Sequence, residues 1–261
     1  MVSLPDFRQY ALANKMELEA ILSEVYGALM AGQSGFLMVD GGAHKGYHTL
    51  RMLDLPGCKR VVAVEADPDM ASRLESILNR QAAGDPRLRI VRKALQRDPS
   101  LTRIAWGSST SHEGRSSILS GNDQRPTIWH GNTDMAYRET VFVDAATLDQ
   151  VLISERLPVG FIKLDLEGAD LHALFGARDT LAQHRPVVAF ENSVHAPQVH
   201  GFTIGEVAAY FHGLGYVALD FTGEPMTPDS WFGFFEAFAA PREQVQALSG
   251  ILKAALSKRN L

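Results

Sequence analysis

The stretch FLMVDGGAHKGYHTL (residues 36–50), followed by VVAVEADPDM (residues 61–70), determines the fold. In each stretch a short apolar run stops at an acid, Asp40 in the first and Glu65 in the second. Three glycines come between Asp40 and the helix-like residues that follow: Gly41, Gly42 and Gly46. Two buried strands that end in carboxylates and are joined by a glycine-rich turn and a helix are typical of a doubly wound α/β fold with a nucleotide site.

The spacing of these glycines does not fit a dinucleotide-binding turn. The third position of the G-x-G-x-x-G pattern requires a glycine, but it is Ala43 when the pattern starts at Gly41 and His44 when it starts at Gly42. The sequence instead has Asp40, Gly42 and Gly46 in a D-x-G-x-x-x-G arrangement. A carboxylate beside exposed backbone N–H groups suits a zwitterionic amino-acid tail with a cationic sulfonium, whereas it would repel a pyrophosphate. The turn therefore favours S-adenosylmethionine over NAD, and a plain strand-to-helix turn is the structural alternative.

The second strand supplies the expected partner of a ribose. Glu65 at its tip can accept hydrogen bonds from both ribose hydroxyls, and Ala66 follows it. NAD sites need the same acid, so Glu65 supports an adenosine ligand without choosing between the two cofactors. We predict a third strand in LRIVRKAL (residues 88–95) and place the adenine at its end, around Lys93 and Ala94.

Length, charge and cysteine content narrow the class of protein. The 261 residues suit a single α/β domain with terminal additions. The chain has 25 Lys and Arg against 30 Asp and Glu, a net charge of −5, which is no electrostatic footprint for nucleic acid. A single cysteine excludes a disulfide framework, and no apolar stretch resembles a signal peptide or a membrane span. We therefore expect a soluble, cytoplasmic protein with no nucleic-acid or membrane partner.

Hydrophobic periodicity divides the chain into three segments. We predict an N-terminal helical segment (residues 1–34), the nucleotide-binding domain (residues 35–240) and a C-terminal helix (residues 241–261). Residues 101–146 depart from a minimal doubly wound fold, because their alternating pattern predicts a β-rich insertion. This insertion is either an acceptor-binding lid or an addition without a direct role. It carries aromatic and histidine side chains that suit a lid: Trp106, His112, Trp129 and His130.

A second group of acids follows two further predicted strands. FIKLDLEG (residues 161–168) contains Asp165 near its end, and PVVAFENS (residues 186–193) contains Glu191 and Asn192. Ligands of open α/β sheets bind beyond the carboxyl ends of the strands, where we expect these side chains to meet. Their three hard oxygen ligands suit Mg²⁺, which would hold an acceptor oxygen and lower its pKa.

Direct base catalysis is the alternative to a metal. His195 stands just past the strand that ends at Glu191, and histidine is the side chain that titrates near neutral pH. A loop histidine that caps a backbone carbonyl is the structural alternative for His195, and a helix-capping carboxylate is the alternative for Asp165. We take as catalytic candidates Asp165, Glu191 and His195.

Several of these segments together resemble the FkbM family of methyltransferases. The similarity extends over about residues 35–240 and rests on DGGAHKGYHTL, VEADP, the RKAL end of the third strand, TLD, FIKLDLEGADLHALFGA and FEN followed by His195. The K-x-D-x-E-G block (Lys163, Asp165, Glu167, Gly168) is the most specific piece. The resemblance implies a class I methyltransferase (Rossmann-like) fold, S-adenosylmethionine as donor, and usually O-methylation of a sugar, glycan or secondary metabolite.

The same resemblance implies where the two ligands bind. It assigns to the cofactor site Asp40, Gly42, Gly46 and Glu65. It assigns to the acceptor side Asp165, Glu167 and Glu191. Where many amino-group methyltransferases have an Asn/Asp-Pro-Pro-aromatic block, this chain has LDLEG (residues 164–168), which favours an oxygen acceptor on a small molecule or glycan. An NAD-dependent oxidoreductase and a non-catalytic binding protein on a degenerate methyltransferase fold are the competing functions.

Overall fold

The computed structural model describes residues 10, 14–82, 84–109, 117–118, 137–192, 200–227, 231 and 236–259. The strands are β1 (Phe36–Gly41), β2 (Cys58–Val64), β3 (Leu88–Val91), β4 (Ala94–Leu95), β5 (Arg103–Ser109), β6 (Ser117–Ile118), β7 (Tyr137–Ala146), β8 (Val159–Leu164), β9 (Val187–Glu191), β10 (Tyr216–Asp220) and β11 (Glu236–Pro241). The helices are α1 (Lys15–Leu29), α2 (Tyr47–Leu53), α3 (Pro68–Gln81), α4 (Leu148–Leu152), α5 (Asp170–Phe175), α6 (Arg178–His184), α7 (Ile204–Gly213) and α8 (Val245–Ser257).

Seven strands form the main sheet, in the order β10-β11-β9-β8-β1-β2-β3. The pairs from β9 to β3 are parallel, whereas β11 runs antiparallel to both β9 and β10. The chain moves outward from β1 to β3 and then returns to the other side of β1 with β8. The predicted doubly wound α/β fold is therefore confirmed, with its switch point between β1 and β8, where such sheets bind ligands.

Helices cover both faces of this sheet, which explains why its central strands are almost continuously apolar. On one face Val39 and Ile162 belong to a core that includes side chains of α4 to α7. On the other face Met38 and Phe161 pack with α1, α2 and α8. The two terminal helices α1 and α8 thus share one core with the sheet.

A second sheet of four strands, β4-β7-β5-β6, contains the predicted insertion. Strands β5 and β7 pair antiparallel, which confirms the β-rich interpretation of that region. The prediction of one strand over residues 88–95 is wrong. Strand β3 ends at Val91, and the buried Ala94 and Leu95 pair instead with the end of β7. Pairing with a distant strand has overridden the local apolar pattern.

Part of the predicted N-terminal helical segment lies among the described residues. Helix α1 begins at Lys15 after its N-cap Asn14, and Tyr10 before it is also helical. Most of the preceding residues lie outside the described part of the chain. Helix α3 begins at Pro68 after its N-cap Asp67, whose side chain accepts hydrogen bonds from two N–H groups of the first turn. Among the described residues we find no helix with the length and apolar character needed to cross a membrane.

Candidate functional site

The glycine turn leaves the carboxyl end of β1, where Gly41 is the last strand residue. Gly42 has φ +72° and Gly46 has φ +81°, in the left-handed region that favours glycine. A Cβ on Gly42 would lie 1.9 Å from the Asp165 carbonyl oxygen, and one on Gly46 would lie 3.0 Å from Leu78 Cδ2. Backbone conformation and close packing therefore require glycine at both positions, and the turn directly contacts the chain that leaves β8.

Glu65 follows β2 and braces this turn from the other side. Its Oε2 accepts the His44 N–H at 2.9 Å, and its Oε1 accepts the Asp67 N–H at 3.0 Å. Burial raises the pKa of Glu65 against the opposing effect of these hydrogen bonds. Each carboxylate oxygen has a second lone pair, so Glu65 keeps the capacity to accept a ribose hydroxyl on each oxygen.

Asp40 lies inside the protein, with its side chain 1% exposed. The Thr49 hydroxyl donates to Asp40 Oδ2 at 2.6 Å, and Oδ1 lies 3.6 Å from Lys163 Nζ. The charge of Asp40 thus has an internal counter-ion, which the sequence analysis did not foresee. The predicted contact of Asp40 with the ammonium of the donor stays a prediction.

The predicted adenine side brings together two strand ends and the insertion. Ala94 and Trp106 are buried in one cluster, against which the half-buried Ala66 packs. The indole N–H of Trp106 donates to Asp67 Oδ2 at 3.4 Å, and Lys93 lies half-buried next to this cluster in the chain. The alternating pattern of the insertion indicated the strand that carries Trp106, but no local pattern indicated the hydrogen-bond partner of its indole. Three other noted side chains lie outside the described residues: His112, Trp129 and His130.

The acceptor-side acids follow adjacent strands, as predicted, because β8 pairs with β9. Asp165 keeps 39% of its side chain exposed, and its N–H donates to the Gly41 carbonyl at 3.1 Å. Glu191 ends β9, and burial together with nearby Asp170 and Asp165 raises its pKa well above the ordinary value. His195 lies outside the described residues, so its predicted role as a base stays a prediction.

Asp170, which the sequence analysis missed, ties these two strand ends together. Its Oδ1 accepts the Glu191 N–H at 3.0 Å, and its Oδ2 accepts the Leu166 N–H at 3.2 Å. Burial and the charge of Asp165 raise the pKa of Asp170 to about 7. An acid in the first turn of a helix is ordinary, so the sequence signal for this bracing role was weak.

Glu236 is the second acid that the sequence analysis missed. It begins β11 and lies directly opposite Glu191 in the antiparallel β11–β9 pair, so both side chains are on the same face of the sheet. Burial raises the pKa of Glu236 well above its ordinary value, and the charge of Asp165 adds to the effect. Because two carboxylates close together disfavour each other's ionisation, at least one of Glu191 and Glu236 favours its protonated form.

The structure gives no support to the predicted Mg²⁺ site at Asp165, Glu191 and Asn192. Within the described ranges no group of three or more His, Cys, Asp or Glu residues is arranged to hold a metal ion. The third predicted ligand, Asn192, is buried.

Glu167, which the resemblance assigns to the acceptor side, has a left-handed backbone conformation with φ +52° and precedes Gly168. A positive φ on a non-glycine residue is a strained conformation of the kind found at functional sites.

Comparison with known proteins gives one family match. The model described as the Methyltransferase FkbM domain matches residues 40–218, from the end of β1 into β10. No curated protein matches the chain significantly. The sheet order and the family match together confirm the predicted class I methyltransferase fold.

Several solved structures are similar to the chain at low identity. Methyltransferase FkbM from Methylobacillus flagellatus KT is 16% identical with a TM-score of 0.47, and the match covers 90% of this chain but only 60% of that one. The precorrin-6y C5,15-methyltransferase from Geobacter metallireducens GS-15 is 11% identical with a TM-score of 0.43, and the match covers 84% of this chain and 86% of that one. An O-methyltransferase from Bacillus cereus in complex with SAH is 15% identical with a TM-score of 0.42, and the match covers 89% of this chain and 94% of that one.

Proposed function

Because the chain belongs to the FkbM family of methyltransferases, we propose that it transfers a methyl group from S-adenosylmethionine to a hydroxyl group of a sugar, glycan or secondary metabolite. One observation carries this proposal. The Asp165 N–H donates to the Gly41 carbonyl at 3.1 Å, so an acid that faces solvent stands beside the glycine turn. A donor held by the turn and an acceptor beside Asp165 would be neighbours.

The residues at the turn fit the proposed donor. Glu65 is only 8% exposed, yet each of its oxygens retains a lone pair for one ribose hydroxyl. Gly42 and Gly46 leave the backbone of the turn without side chains, which permits a close approach by the amino-acid tail of the donor. The cluster of Ala66, Ala94 and Trp106 offers an apolar wall for the adenine.

S-adenosylmethionine bound at the glycine turn would supply an activated methyl group, and its sulfur would be the leaving group when the acceptor oxygen takes that methyl group. The protein has two tasks, which are to align the acceptor oxygen and to receive its proton. Asp165 suits the second task, because its carboxylate reaches solvent and can release the proton after each turnover. His195 is the alternative proton acceptor.

An oxygen acceptor is favoured over a nitrogen acceptor by the chain after β8. This segment is LDLEG (residues 164–168) rather than the Asn/Asp-Pro-Pro-aromatic block of many amino-group methyltransferases. Its polar groups are carboxylates, which can take a proton from an alcohol. A hydroxyl needs such assistance more than a neutral amine does, because an alcohol is a weak nucleophile until its proton is partly removed.

Calorimetric titration with S-adenosylhomocysteine, with NAD as a parallel control, tests the proposal first. Micromolar affinity for S-adenosylhomocysteine and none for NAD is the expected result. Hydroxylated and amino acceptors are then screened with S-adenosylmethionine, with and without Mg²⁺, and the products are identified by mass spectrometry. Binding of NAD alone would overturn the assignment of the donor. Methylation of amines alone would overturn the assignment of the acceptor.

A further inference from the structure

Lys163, the first residue of the K-x-D-x-E-G block, has no part in the proposed function as described so far. It lies on β8, two residues before Asp165, and it is 5% exposed. In the register of the sheet it stands beside Asp40 of β1 on one side and Ala189 of β9 on the other. Its ammonium group is therefore held at the switch point, under the turn that leaves β1.

The Lys163 ammonium group lies close to three oxygen atoms from different parts of the site. Its Nζ is 3.3 Å from the Gly42 carbonyl oxygen, 3.5 Å from Asp165 Oδ2 and 3.6 Å from Asp40 Oδ1. The first atom belongs to the glycine turn, the second to the acceptor side and the third to β1. An ammonium group has three N–H donors, so a single lysine can serve all three oxygens at once.

The charge of Lys163 is maintained by its surroundings. Burial by itself lowers the pKa of Lys163, but four carboxylates outweigh this effect and raise the pKa above its ordinary value: Asp165, Asp40, Glu19 and Glu236. The group is therefore a permanent cation at physiological pH. A buried cation with oxygen partners on two segments resists any movement that would separate them.

The two segments that Lys163 joins are also in direct contact. The Asp165 N–H bonds to the Gly41 carbonyl, and the Asp165 carbonyl oxygen fills the space that a Cβ on Gly42 would need. A shift of the glycine turn would therefore displace Asp165. The backbone contacts fix the position of the segment, and Lys163 adds a partner for the Asp165 side chain itself.

We propose that Lys163 is a positioning residue whose ammonium group holds the Gly42 carbonyl of the glycine turn and the carboxylate of Asp165 in one arrangement. This inference rests on the proposed function, in which the turn holds the donor and Asp165 receives the acceptor proton. In-line methyl transfer depends on such alignment, because a small displacement of the reacting groups slows the reaction strongly. The competing explanation is that Lys163 only neutralises the buried Asp40.

Variants of the full-length chain separate these two explanations by calorimetric titration with S-adenosylhomocysteine. The set comprises Lys163→Met, Lys163→Arg, Asp40→Asn, and the double variant Asp40→Asn with Lys163→Met. Lys59→Met is the matched control, because Lys59 is an exposed lysine on the neighbouring strand β2. The double variant contains neither buried charge of the Lys163–Asp40 pair. It therefore keeps the test decisive even where the uncompensated Asp40 prevents Lys163→Met from folding.

A positioning role predicts that Lys163→Met weakens binding about tenfold, as expected for the loss of a hydrogen bond from a charged group. It predicts the same loss when the change is added to Asp40→Asn, partial recovery in Lys163→Arg, and wild-type affinity in Lys59→Met. If the double variant binds as Asp40→Asn does, Lys163 is only a counter-ion and the inference is overturned. Equal losses in the Arg and Met variants would also overturn it.

Hydrogen exchange of the same proteins without ligand keeps this test separate from the proposed function. The turn amides of Gly42 and Ala43 bond to the Val64 carbonyl, and that of Gly46 bonds to the Ala43 carbonyl. Lys163→Met should speed exchange in the peptide that covers these amides, whereas Lys59→Met should not. An unchanged rate in Lys163→Met overturns the inference. A wild-type protein that does not bind S-adenosylhomocysteine, but shows the faster exchange in the variant, overturns only the donor assignment.

Discussion

The imidazole of His48 joins two helices through Glu19, with His48 Nε2 2.6 Å from Glu19 Oε2. Glu19 belongs to α1, which lies outside the residues that the family model matches, and His48 is in the first turns of α2. On the other ring nitrogen, Nδ1 lies 3.3 Å from the Tyr26 hydroxyl. With a proton on Nε2 the ring donates to Glu19, and the Tyr26 hydroxyl can either donate to Nδ1 or accept from it.

This contact extends the candidate site to the N-terminal helix. The residue after His48 is Thr49, whose hydroxyl bonds to Asp40 at the end of β1. The start of α2 is thus held from α1 on one side and from β1 on the other. The glycine turn enters α2 directly, so its position depends on both attachments. At the other end of the chain Arg259 bonds to Glu17 and Glu24 of α1, which fixes the helix further.

We expect Glu19→Ala to lower the thermal midpoint of unfolding by about 2–4 °C, which corresponds to about 1 kcal/mol for a chain of this size. The estimate is at the low end for a charged hydrogen bond, because the Glu19 side chain is 38% exposed. Glu19→Gln keeps an acceptor oxygen for His48 and should lose less. Differential scanning calorimetry measures both changes, and equal losses in the two variants would contradict the hydrogen bond as the cause.

The His48–Glu19 contact also predicts how the stability of the protein depends on pH in the acid range. Burial by itself raises the pKa of Glu19, but the hydrogen bond from His48 and nearby positive charges outweigh it, so the pKa is lowered from 4.5. The stabilisation by the ionised carboxylate is therefore present at neutral pH and is lost as the pH falls through the folded pKa. The difference in stability between wild type and Glu19→Gln should shrink below about pH 4.5. A constant difference down to the acid transition would show that the charge has no part in the contact.

Replacement of Glu65 should weaken the binding of the donor more than it destabilises the fold. Glu65→Ala removes the acceptors for two ribose hydroxyls, and each bond to a charged acceptor contributes about 1.5–3 kcal/mol. We therefore expect a loss of affinity for S-adenosylhomocysteine of about a hundredfold or more. Glu75→Ala is the control, because Glu75 is an acid of α3 whose partner is the exposed Arg92. Calorimetric titration of both variants makes the comparison, and equal affinities would remove Glu65 from the site.

Local patterns in the sequence were sufficient for the first half of the site. An apolar strand, an acid and a glycine at a fixed interval specify the backbone of Asp40, Gly42 and Gly46, because the positive φ of the glycines is a local requirement. Glu65 follows its strand in the same way. The order of such elements also predicts the doubly wound sheet, since each strand is followed by a helix that returns the chain.

Contacts between distant parts of the chain were beyond these patterns. Glu236 reaches Glu191 because β11 inserts between β9 and β10, and Glu19 reaches His48 because α1 packs on the sheet. Lys163 has its partners on β1 and in the glycine turn, far away in the sequence. A single sequence shows that these residues are charged, but only the packing of helices and strands shows which charges meet.

Asp165→Asn separates donor binding from the chemical step. The amide keeps the size of the side chain but cannot receive the acceptor proton, so we expect turnover to fall about 10²–10⁴-fold while the affinity for S-adenosylhomocysteine changes little. Asp144→Asn is the control, because Asp144 is an exposed acid on β7. The assay uses the best acceptor of the hydroxyl screen. Turnover near that of wild type would exclude Asp165 as the base and direct attention to His195.

Asp170 should make the protein less stable as the pH rises towards neutrality. Its pKa is raised from 3.8 to about 7 by burial and by the charge of Asp165. The folded protein therefore retains a proton that the unfolded chain releases near pH 4, and the free energy of unfolding decreases between about pH 4 and pH 7. Glu191 and Glu236 act in the same direction, because their pKa values are also raised, whereas the Lys163 cation favours ionisation of Asp170.

Urea denaturation at several pH values isolates the part that belongs to Asp170. Asp170→Asn cannot ionise, and its amide has one acceptor oxygen for the two N–H groups of Leu166 and Glu191. We expect the variant to be less stable than wild type near pH 4 and the difference to narrow as the pH rises to about 7. Asp179→Asn is the control, because Asp179 is an exposed acid of α6 and should leave the slope unchanged. If Asp170→Asn keeps the wild-type slope, the pH dependence arises from Glu191 and Glu236 alone, and Asp170 is ionised in the fold.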